Sequence, residues 1–479
     1  MSVASPDLPV PDLPFARDPI DFAGTRVTVM GLGSFGGGVA VTRHLVAAGA
    51  VVTVTDLRAT ETLTESLAAL DGVAFVAHLG GHVESDFTDT DVVLVNPAVK
   101  PTSPYLRLAA DAGVPLETEV NIVFKRCPAG IVGVTGSNGK STTTKLTANI
   151  LAAGARRVWL GGNIGRPLVE HLQEIASDDF VVMELSSFQL DHLRRIGRGP
   201  SVAVVTNLAP NHIAWHGSMA AYAAAKRAIL AALPADGLAV LNADDEAVRE
   251  WATGETSFFG LRGDAPAAEG LRGAFLRGET LIWRDARGEA VLPLRPDEIP
   301  MPGRHNVANV LAALAVGRLL GVPDTGAADA VRRFAPLPDR LERILERDGI
   351  RYYNDSIATT PESAACAIEA LDGPVVLIAG GHDKHVPLET LADTIVRGVR
   401  VVVTTGAAGP LLADLVEARR RGKAPAVLRR PAFDEAVAAA VEAARPGDIV
   451  LLSPGCASYG QFHHYRERAQ RFRVLVEEA

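Results

Sequence analysis

The amino-acid sequence predicts an α/β protein of three domains, and three observations support this fold class. The chain has 479 residues, too many for one hydrophobic core, because a domain usually contains about 100–200 residues. Short apolar runs alternate with segments of helical periodicity along most of the chain, which is typical of mostly parallel sheets covered by helices. At two places a glycine-rich turn joins a predicted strand to a predicted helix.

Composition argues against several classes of protein. The net charge is −9, so a general nucleic-acid-binding or membrane-surface protein is not expected. Cys127, Cys366 and Cys456 are widely separated, which argues against a disulfide framework and indicates a reducing compartment. Residues 1–21 lack the basic and apolar regions of a signal peptide, and we expect them to form a flexible extension. We therefore expect a cytoplasmic protein that binds small molecules, but neither nucleic acid nor a membrane. A monomer is expected, although the sequence does not reveal the oligomeric state.

The first domain, predicted over 22–118, begins with a strand–helix–strand unit and is expected to be Rossmann-like. The turn Gly31-Leu32-Gly33-Ser34-Phe35-Gly36 matches the dinucleotide-binding fingerprint, and Asp56 ends the second strand, where a ribose-binding acid is expected. The same fingerprint suits any nucleotide diphosphate at a helix N-terminus. Both NAD and another nucleotide stay open on these residues alone. Further strands are predicted at 73–77 and 92–95.

The second domain, predicted over 119–336, contains the most specific motif of the chain. The run Gly133-Val134-Thr135-Gly136-Ser137-Asn138-Gly139-Lys140-Ser141-Thr142 follows an apolar strand and opens a helix. Such a P-loop cradles phosphates with backbone N–H groups, while Lys140 contacts the outer phosphates and Ser141 binds Mg²⁺. Its first glycine lies one residue earlier than in the standard pattern. The motif predicts a P-loop ATPase domain that binds one nucleoside triphosphate.

Polar residues follow the other predicted strands of this domain. Strands at 131–134, 180–183 and 202–205 should end at one edge of a parallel sheet, where ligands bind. Glu184 ends the second strand and can complete a Mg²⁺ shell with Ser141, although a solvated acid at a strand end is the alternative. His212 follows the third strand and is expected beside Glu184, with a structural histidine as its alternative.

Lys226 lies on the apolar face of a helix predicted over 218–233 and capped by Ser218. A buried ammonium is costly, so such a lysine is paired, has a depressed pKa, or is chemically modified. A neutral amine can add CO₂ and become a carbamate, which binds metal ions as an anion. The alternative is a lysine that extends to solvent from the rim of its helix.

The third domain, predicted over 337–479, follows a hinge at Pro336-Leu337-Pro338. Before the hinge, residues 254–295 are typical of weaker, antiparallel strands, and a helix begins near Asn306. After it, apolar runs at 350–353, 375–379, 401–404 and 449–452 predict a second Rossmann-like domain.

At this point the motifs resemble those of a known family, the Mur ligases of bacterial peptidoglycan synthesis. The motifs that carry the resemblance are the P-loop, Gly162-Asn163-Ile164-Gly165, Glu184-Leu185-Ser186-Ser187-Phe188-Gln189, Tyr222 to Lys226, His305-Asn306-Val307-Ala308-Asn309, Asn354-Asp355-Ser356 and Ser453-Pro454-Gly455-Cys456-Ala457-Ser458. They occur in the family's order and cover nearly the whole chain beyond the extension.

The resemblance implies ATP-dependent formation of an amide bond through an acyl phosphate. Glutamate, expected as the D-enantiomer, would be added to UDP-N-acetylmuramoyl-L-alanine. Two Mg²⁺ ions would take part, the first held by Ser141 and Glu184 and the second by His212 and a carbamylated Lys226. With Lys140, the residues Glu184, His212 and Lys226 form the expected catalytic set.

The resemblance also assigns substrate contacts. ATP would be bound by Gly136, Ser137, Asn138, Gly139, Lys140, Ser141, Thr142, His305, Asn306, Asn309, Arg340 and Asp355. The UDP-muramoyl substrate would be bound by Gly33, Ser34, Phe35, Asp56, Arg58, Asn96 and Asn163, so the apparent NAD fingerprint becomes a uridine nucleotide site. Glutamate would be bound by Thr359, Lys384, Ser458 and Tyr465.

Three positions depart from the pattern of the D-glutamate-adding members. Ile357, Asp339 and Tyr465 stand where those members usually have Lys, His and Phe. A ligase that adds L-glutamate to the same acceptor is therefore the nearest alternative. A nucleotide-binding switch that hydrolyses ATP without joining substrates, and an NAD-dependent enzyme, are alternatives from other functional classes.

Overall fold

The computed structural model describes residues 13–33, 36–383 and 386–479, apart from the side chain of Ala214. The chain divides into two compact units. The larger consists of Met1–Leu294 and Asn309–Val331, and the smaller of Arg295–Ala308 and Arg332–Ala479. This division assigns Arg295–Ala308, which we predicted within the central domain, to the smaller unit. The predicted domain boundaries stay predictions.

The first sheet of the larger unit forms the N-terminal domain. Its strands are β1 (Arg26–Met30), β2 (Val51–Asp56), β3 (Val76–Leu79), β4 (Val92–Val95) and β5 (Leu116–Glu117), and its helices are α1 (Gly37–Ala47), α2 (Thr64–Ala68), α3 (Ser85–Thr88) and α4 (Pro104–Asp111). All strand pairs are parallel, in the order β3-β2-β1-β4-β5. The strand predicted at 73–77 is shifted to β3, because Val73 N–H donates to Leu70 O in a turn.

The second sheet of the larger unit carries the P-loop. Its strands are β6 (Gly130–Thr135), β7 (Val158–Gly162), β8 (Phe180–Glu184), β9 (Val202–Val205), β10 (Leu238–Asn242), β11 (Thr256–Gly260), β12 (Gly273–Arg277), β13 (Thr280–Asp285) and β14 (Gly288–Val291). Its helices are α5 (Glu119–Arg126), α6 (Lys140–Ala152), α7 (Ser187–Ile196), α8 (Ile213–His216), α9 (Met219–Ala231) and α10 (Glu246–Arg249), followed by α11 (Arg304–Leu319) and α12 (Asp324–Arg332).

The strand order of this second sheet is β14-β13-β12-β11-β10-β9-β6-β8-β7. The predicted antiparallel arrangement is confirmed for the β12–β13 and β13–β14 pairs but is wrong for the β11–β12 pair, which is parallel. The central strands β6, β8 and β9 are buried along most of their length. Such burial on both faces is characteristic of parallel sheets covered by helices.

The sheet of the smaller unit forms the C-terminal domain. Its strands are β15 (Glu342–Arg347), β16 (Ile350–Asn354), β17 (Val375–Gly380), β18 (Val399–Thr405), β19 (Ala426–Arg429) and β20 (Ile449–Gly455), and its helices are α13 (Pro361–Glu369), α14 (Glu389–Gly398), α15 (Gly409–Arg419), α16 (Phe433–Ala443) and α17 (Tyr465–Glu478). The order is β15-β16-β20-β17-β18-β19, with only the β15–β16 pair antiparallel among the described residues. The predicted α/β class with three mostly parallel sheets is confirmed.

Residues 13–21, which we call the N-terminal strap, correct the prediction of a flexible extension over 1–21. Leu13 and Phe15 are only 5% and 7% exposed. The backbone on either side of Phe15 exchanges two hydrogen bonds of 2.9 Å with Leu116 of β5. The prediction weighed proline and aspartate content, whereas the packing comes from two apolar side chains and the open edge of a strand. Residues 1–12 lie outside the described residues.

A buried ion pair holds the strap against the second sheet's first helix. Nζ of Lys125, in α5, donates to Oε2 of Glu117 and to the carbonyl oxygens of Ala16, at 3.0 Å, and Asp18, at 3.3 Å. Both charged side chains are 1% exposed. Burial raises the pKa of Glu117, and the charge of Lys125 opposes that rise. The strap, β5 and α5 are thus joined at one ammonium group.

We predict that Lys125→Met lowers the free energy of unfolding by about 3–5 kcal/mol, because the substitution leaves a buried carboxylate without its counter-charge. Denaturant unfolding at pH 7 measures this loss. The double variant Lys125→Met/Glu117→Gln removes both charges and should recover most of the stability. An equal loss in the single and double variants would contradict the prediction.

Candidate active site

The P-loop connects β6 to α6, as the sequence predicts, and requires glycine at two positions. Gly136 and Gly139 have φ values of 146° and 79°. A Cβ atom at Gly136 would lie 1.8 Å from Oγ1 of Thr206, and one at Gly139 would lie 2.4 Å from Oδ1 of Asn309. Because α6 begins at Lys140, the N–H groups of its first turn are available to an anion.

A second loop, directly after β9, holds the P-loop in place. Ser137 N–H donates to Asn207 O at 2.9 Å, and Asn138 N–H donates to Asn207 Oδ1 at 2.8 Å. Oγ1 of Thr206 donates to Asn138 O at 2.6 Å. Sequence reasoning missed Thr206 and Asn207, although their position after the strand at 202–205 is the signal that could have found them.

Lys140 and Ser141 occupy the first turn of α6. Nζ of Lys140 donates to Ser137 O at 2.9 Å, so this side chain folds back over the loop. Ser141 is 9% exposed. Asn309, from α11, lies on the other side of the loop, where its Oδ1 accepts from Thr143 Oγ1 at 3.2 Å. The predicted loop residues and Asn309 are therefore brought together.

Glu184 provides a buried carboxylate beside the loop. It ends β8 and pairs with Val134 of β6, and it is 2% exposed. Oε1 accepts from Nδ2 of Asn163 at 2.8 Å, whereas Oε2 is buried without a hydrogen-bond partner. A buried carboxylate oxygen without a partner is unfavourable, so this atom fits a cation. The alternative of a solvated acid at a strand end is contradicted.

The carboxylate of Glu184 is by itself a suitable ligand for a hard cation such as Mg²⁺. Among the described residues, no group of three or more His, Cys, Asp or Glu side chains is arranged to hold a metal ion. A Mg²⁺ ion beside Glu184 would therefore need other oxygen donors, and the hydroxyl of Ser141 and phosphate oxygens are suitable hard ligands.

Lys226 is fully inside the protein, on α9. The side chain is 2% exposed, Nζ donates to Gly136 O at 2.7 Å, and the ammonium lies 4.7 Å from the centre of the Tyr222 ring. Burial lowers the pKa of Lys226 well below its usual value, and the charge of Lys140 lowers it further while Glu184 opposes the shift. The alternative of a lysine extending to solvent is contradicted.

His212 lies after β9, as predicted, and directly precedes α8; its side chain is exposed. Its place beside Glu184 stays a prediction. Its φ is 55°, a left-handed conformation that costs an L-residue other than glycine about 1–2 kcal/mol. Its ring centre lies 4.9 Å from that of Phe188. Sequence reasoning missed His216, one turn later, whose Nε2 is 2.9 Å from Ser187 Oγ. Burial lowers the pKa of His216 to about 4.

The glycine-rich turn of the N-terminal domain is closed by Asp56. Oδ2 accepts from Leu32 N–H at 3.0 Å, and both carboxylate oxygens accept from Arg58. Burial raises the pKa of Asp56, but the hydrogen bonds from Arg58 outweigh it and the net pKa is lowered. Nδ2 of Asn96 donates to Gly31 O at 3.2 Å, and Gly33 lies beside that amide. Ser34 and Phe35 lie outside the described residues.

The smaller unit contains the other predicted ATP residues. Asp355 is 5% exposed and accepts from Ser453 Oγ at 2.7 Å and Leu341 N–H at 3.0 Å. Burial raises its pKa to about 7, against the effect of those hydrogen bonds and of Arg340. Burial and Arg340 lower the pKa of His305 to about 4. Asn306 is also buried, and its Nδ2 donates to Pro302 O at 2.7 Å.

A cavity of about 150 Å³ opens at the carboxyl ends of β17, β18 and β20. Of the predicted glutamate residues, Ser458 lines it, whereas Thr359 and Tyr465 do not. Arg468, which sequence reasoning missed, also lines the cavity, is 3% exposed, and donates to the backbone oxygen of Ser356 at 2.8 Å. Lys384 lies outside the described residues.

Comparison with known proteins assigns the chain to a family. The Mur ligase MurD-like N-terminal domain matches residues 25–117, the Mur ligase middle domain matches 134–317, and the Mur ligase glutamate ligase domain matches 339–456. UDP-N-acetylmuramoylalanine--D-glutamate ligase of Roseiflexus sp. (strain RS-1) is 42% identical over 468 residues, which are 96% of this chain and 99% of that protein. The chain belongs to the Mur ligase family.

Other Mur ligases support the same assignment. The UDP-N-acetylmuramoylalanine--D-glutamate ligase of Symbiobacterium thermophilum is 41% identical over 94% of this chain and 98% of its own length. Among solved structures, UDP-N-acetylmuramate-alanine ligase MurC from Thermotoga maritima is similar with a TM-score of 0.63 and 20% identity, covering 95% of this chain and 99% of that one. A pseudomurein peptide ligase type C from Methanothermus fervidus gives 0.60 and 17%, with 95% and 100% covered. These two structures support the fold.

No described helix combines the length and apolar character needed to cross a membrane.

We predict that Gly136→Ala weakens ATP binding at least about tenfold, because the backbone at this position has a positive φ that a residue with a Cβ disfavours, and the new Cβ would collide with Thr206. Titration calorimetry with ATP measures the change. Gly197→Ala is the matched control, since Gly197 also has a positive φ of 65° but no atom within 4 Å of an added Cβ. The control should lose some stability and keep its ATP affinity; equal ATP affinity in the two variants would contradict the prediction.

Proposed function

We propose that the protein is an ATP-dependent ligase that joins D-glutamate to UDP-N-acetylmuramoyl-L-alanine during synthesis of the peptidoglycan precursor. The observation that carries the proposal is the 42% identity, over nearly the full length of both chains, to a relative whose name states this reaction. The names of the relatives do not favour the L-glutamate alternative. Ile357, Asp339 and Tyr465 are then variations within a D-glutamate ligase.

The proposed reaction begins when the alanyl carboxylate of the acceptor attacks the γ-phosphorus of ATP, which forms an acyl phosphate and releases ADP. Two anions approach each other in this step, so the site must supply positive charge more than an acid or a base. Lys140 and the N-terminus of α6 supply part of it. A Mg²⁺ ion held by Ser141 and Glu184, at the first metal position, would neutralise further phosphate charge.

Lys226 is proposed to act as a carbamate at a second metal position together with His212. Its burial favours the neutral amine, whose nitrogen can attack the carbon of CO₂, so that an N–C bond forms and one proton leaves. One N–H remains on the carbamate, and the hydrogen bond to Gly136 O can persist. The product carries a negative charge where the ammonium carried a positive one.

In the second half of the proposed reaction, the amine of glutamate attacks the acyl carbon, and phosphate leaves through a tetrahedral intermediate. Thr359, Lys384, Ser458 and Tyr465 are the proposed glutamate contacts. Of these four, the cavity supports Ser458, which lines it together with Arg468, because a buried guanidinium is a suitable partner for a substrate carboxylate.

We further propose a cytoplasmic monomer that uses two Mg²⁺ ions. Among the described residues no disulfide links the three cysteines, of which one is exposed, one partly buried and one buried. Cysteines without disulfides fit a reducing compartment.

We predict that Lys226→Ala lowers kcat about 100- to 1,000-fold, because a group that stabilises the transition state electrostatically is removed. Added bicarbonate should not restore the activity of the variant. Wild-type enzyme that has been depleted of CO₂ should lose activity and regain it when bicarbonate is added. Lys423→Ala, at an exposed lysine, is the control and should stay fully active. An active Lys226→Ala enzyme would rule out the carbamate.

The substrate assignment is tested by measuring phosphate release from ATP with UDP-N-acetylmuramoyl-L-alanine and each glutamate enantiomer in turn. We expect release only when the acceptor and D-glutamate are both present. Release with the acceptor and L-glutamate, but not with the acceptor and D-glutamate, would establish the alternative ligase. Release that is independent of both the acceptor and glutamate would indicate a nucleotide-hydrolysing switch. Binding of NAD to the N-terminal domain, measured by titration, would favour the dehydrogenase class.

A further inference from the structure

The turn that carries His212 is conformationally demanding. His212 has a φ of 55°, and its carbonyl oxygen accepts hydrogen bonds from the N–H groups of Trp215, at 3.0 Å, and His216, at 3.1 Å. A left-handed residue other than glycine persists when its surroundings hold it in place. The side chain of His212 is exposed. Because α8 directly follows His212, the anchoring of α8 contributes to the orientation of this residue.

His216 supplies a side-chain anchor for α8. Its Nε2 is 2.9 Å from Oγ of Ser187, the first residue of α7. Ser187 follows Glu184 by three residues, so this hydrogen bond joins the segment after β9 to the segment after β8. Of the other residues of α8, Ile213 has an apolar side chain, and Nε1 of Trp215 is buried without a hydrogen-bond partner.

Aromatic packing reinforces the same connection. The ring of Phe188 is stacked on that of His216 at 5.6 Å, with an interplanar angle of 21°, and it also contacts the ring of His212 at 4.9 Å. On another side, His216 contacts Tyr222 at 5.3 Å, and the hydroxyl of Tyr222 is 2.9 Å from Ser137 Oγ in the P-loop. His216 thus lies between the P-loop, α7 and the turn of His212.

We propose that His216 is a positioning residue, whose hydrogen bond to Ser187 fixes the orientation of His212 toward the second metal position. This inference rests on the proposed function, since it takes His212 as a metal ligand. It adds a requirement that the ligand alone does not imply: the two segments that follow β8 and β9 must be joined for the site to bind its second ion. Groups that orient a metal ligand typically change metal affinity 10- to 100-fold when they are removed.

The test is a double-mutant cycle of Ser187→Ala and His216→Phe, which keeps an aromatic ring at position 216. Mn²⁺ is the probe, and its binding is followed by electron paramagnetic resonance in the presence of a non-hydrolysable ATP analogue. Each single variant should lower the affinity for the Mn²⁺ ion at the second metal position by about 10-fold or more. The double variant should be no weaker than the worse single variant, because one hydrogen bond is lost in all three.

Three controls separate positioning from simple loss of stability. His216→Gln, which retains a side-chain hydrogen-bonding group, should recover part of the Mn²⁺ affinity. His44→Phe changes a histidine that packs against Phe22 in the N-terminal domain and should leave Mn²⁺ binding unchanged. The affinity for the ATP analogue should change less than threefold in all variants, because the P-loop and Glu184 are intact.

The outcomes distinguish the inference from the proposed function. If the Ser187→Ala and His216→Phe variants lose thermal stability but bind Mn²⁺ within threefold of wild type, His216 is only structural and the inference is overturned. Additive effects in the double variant would also overturn it. His212→Ala provides the separate check: unchanged Mn²⁺ binding in that variant would refute the metal role of His212, whereas weakened binding there with normal binding in the His216 variants would refute only the positioning role.

Discussion

The hydrogen bond from Lys226 to the carbonyl oxygen of Gly136 is the interaction on which the rest of the site depends. A loop that turns its N–H groups toward a phosphate must turn carbonyl oxygens toward the protein, and buried carbonyl groups need donors. Lys226 and Thr206 supply two such donors. The phosphate-binding surface of the loop is thus supported on its protein side by one residue within α9 and one directly after β9.

The charge near the P-loop depends on the chemical state of one atom, Nζ of Lys226. The charge of Lys140 lowers the pKa of Lys226, and the carboxylate of Glu184 opposes that shift. The protein as a whole carries a net charge of −9, so the positive potential at the loop is local. Conversion of the neutral Lys226 amine to a carbamate would add one negative charge to this local sum. The same buried position would then favour metal ions.

The sequence predicted those parts of the structure that depend on local pattern. Helical spacing placed Lys226 on a buried face, and the ends of apolar runs located Glu184 and His212, because parallel strands end at a common edge. The contact between Ser187 and His216 could not be predicted, since it joins residues of two different helices, α7 and α8, whose separation depends on tertiary structure. The pairing direction of β11 and β12 was wrong for a similar reason: composition indicates weak strands but does not fix their partners. Of the substrate contacts, the resemblance named candidates such as Asp56, whose carboxylate in fact closes its own loop through Leu32 and Arg58.

The N-terminal strap covers an edge of the first sheet to which another chain could bind. β5 is the last strand in the order of that sheet, and an uncovered edge strand offers a row of backbone groups to any extended chain. The strap occupies that row at Leu116 with hydrogen bonds of its own. A version of the protein that begins at the predicted domain boundary, residue 22, would present this edge to solvent. Such a truncated chain would be open to pairing with a second copy of itself along β5, so the strap is also a guard against self-association.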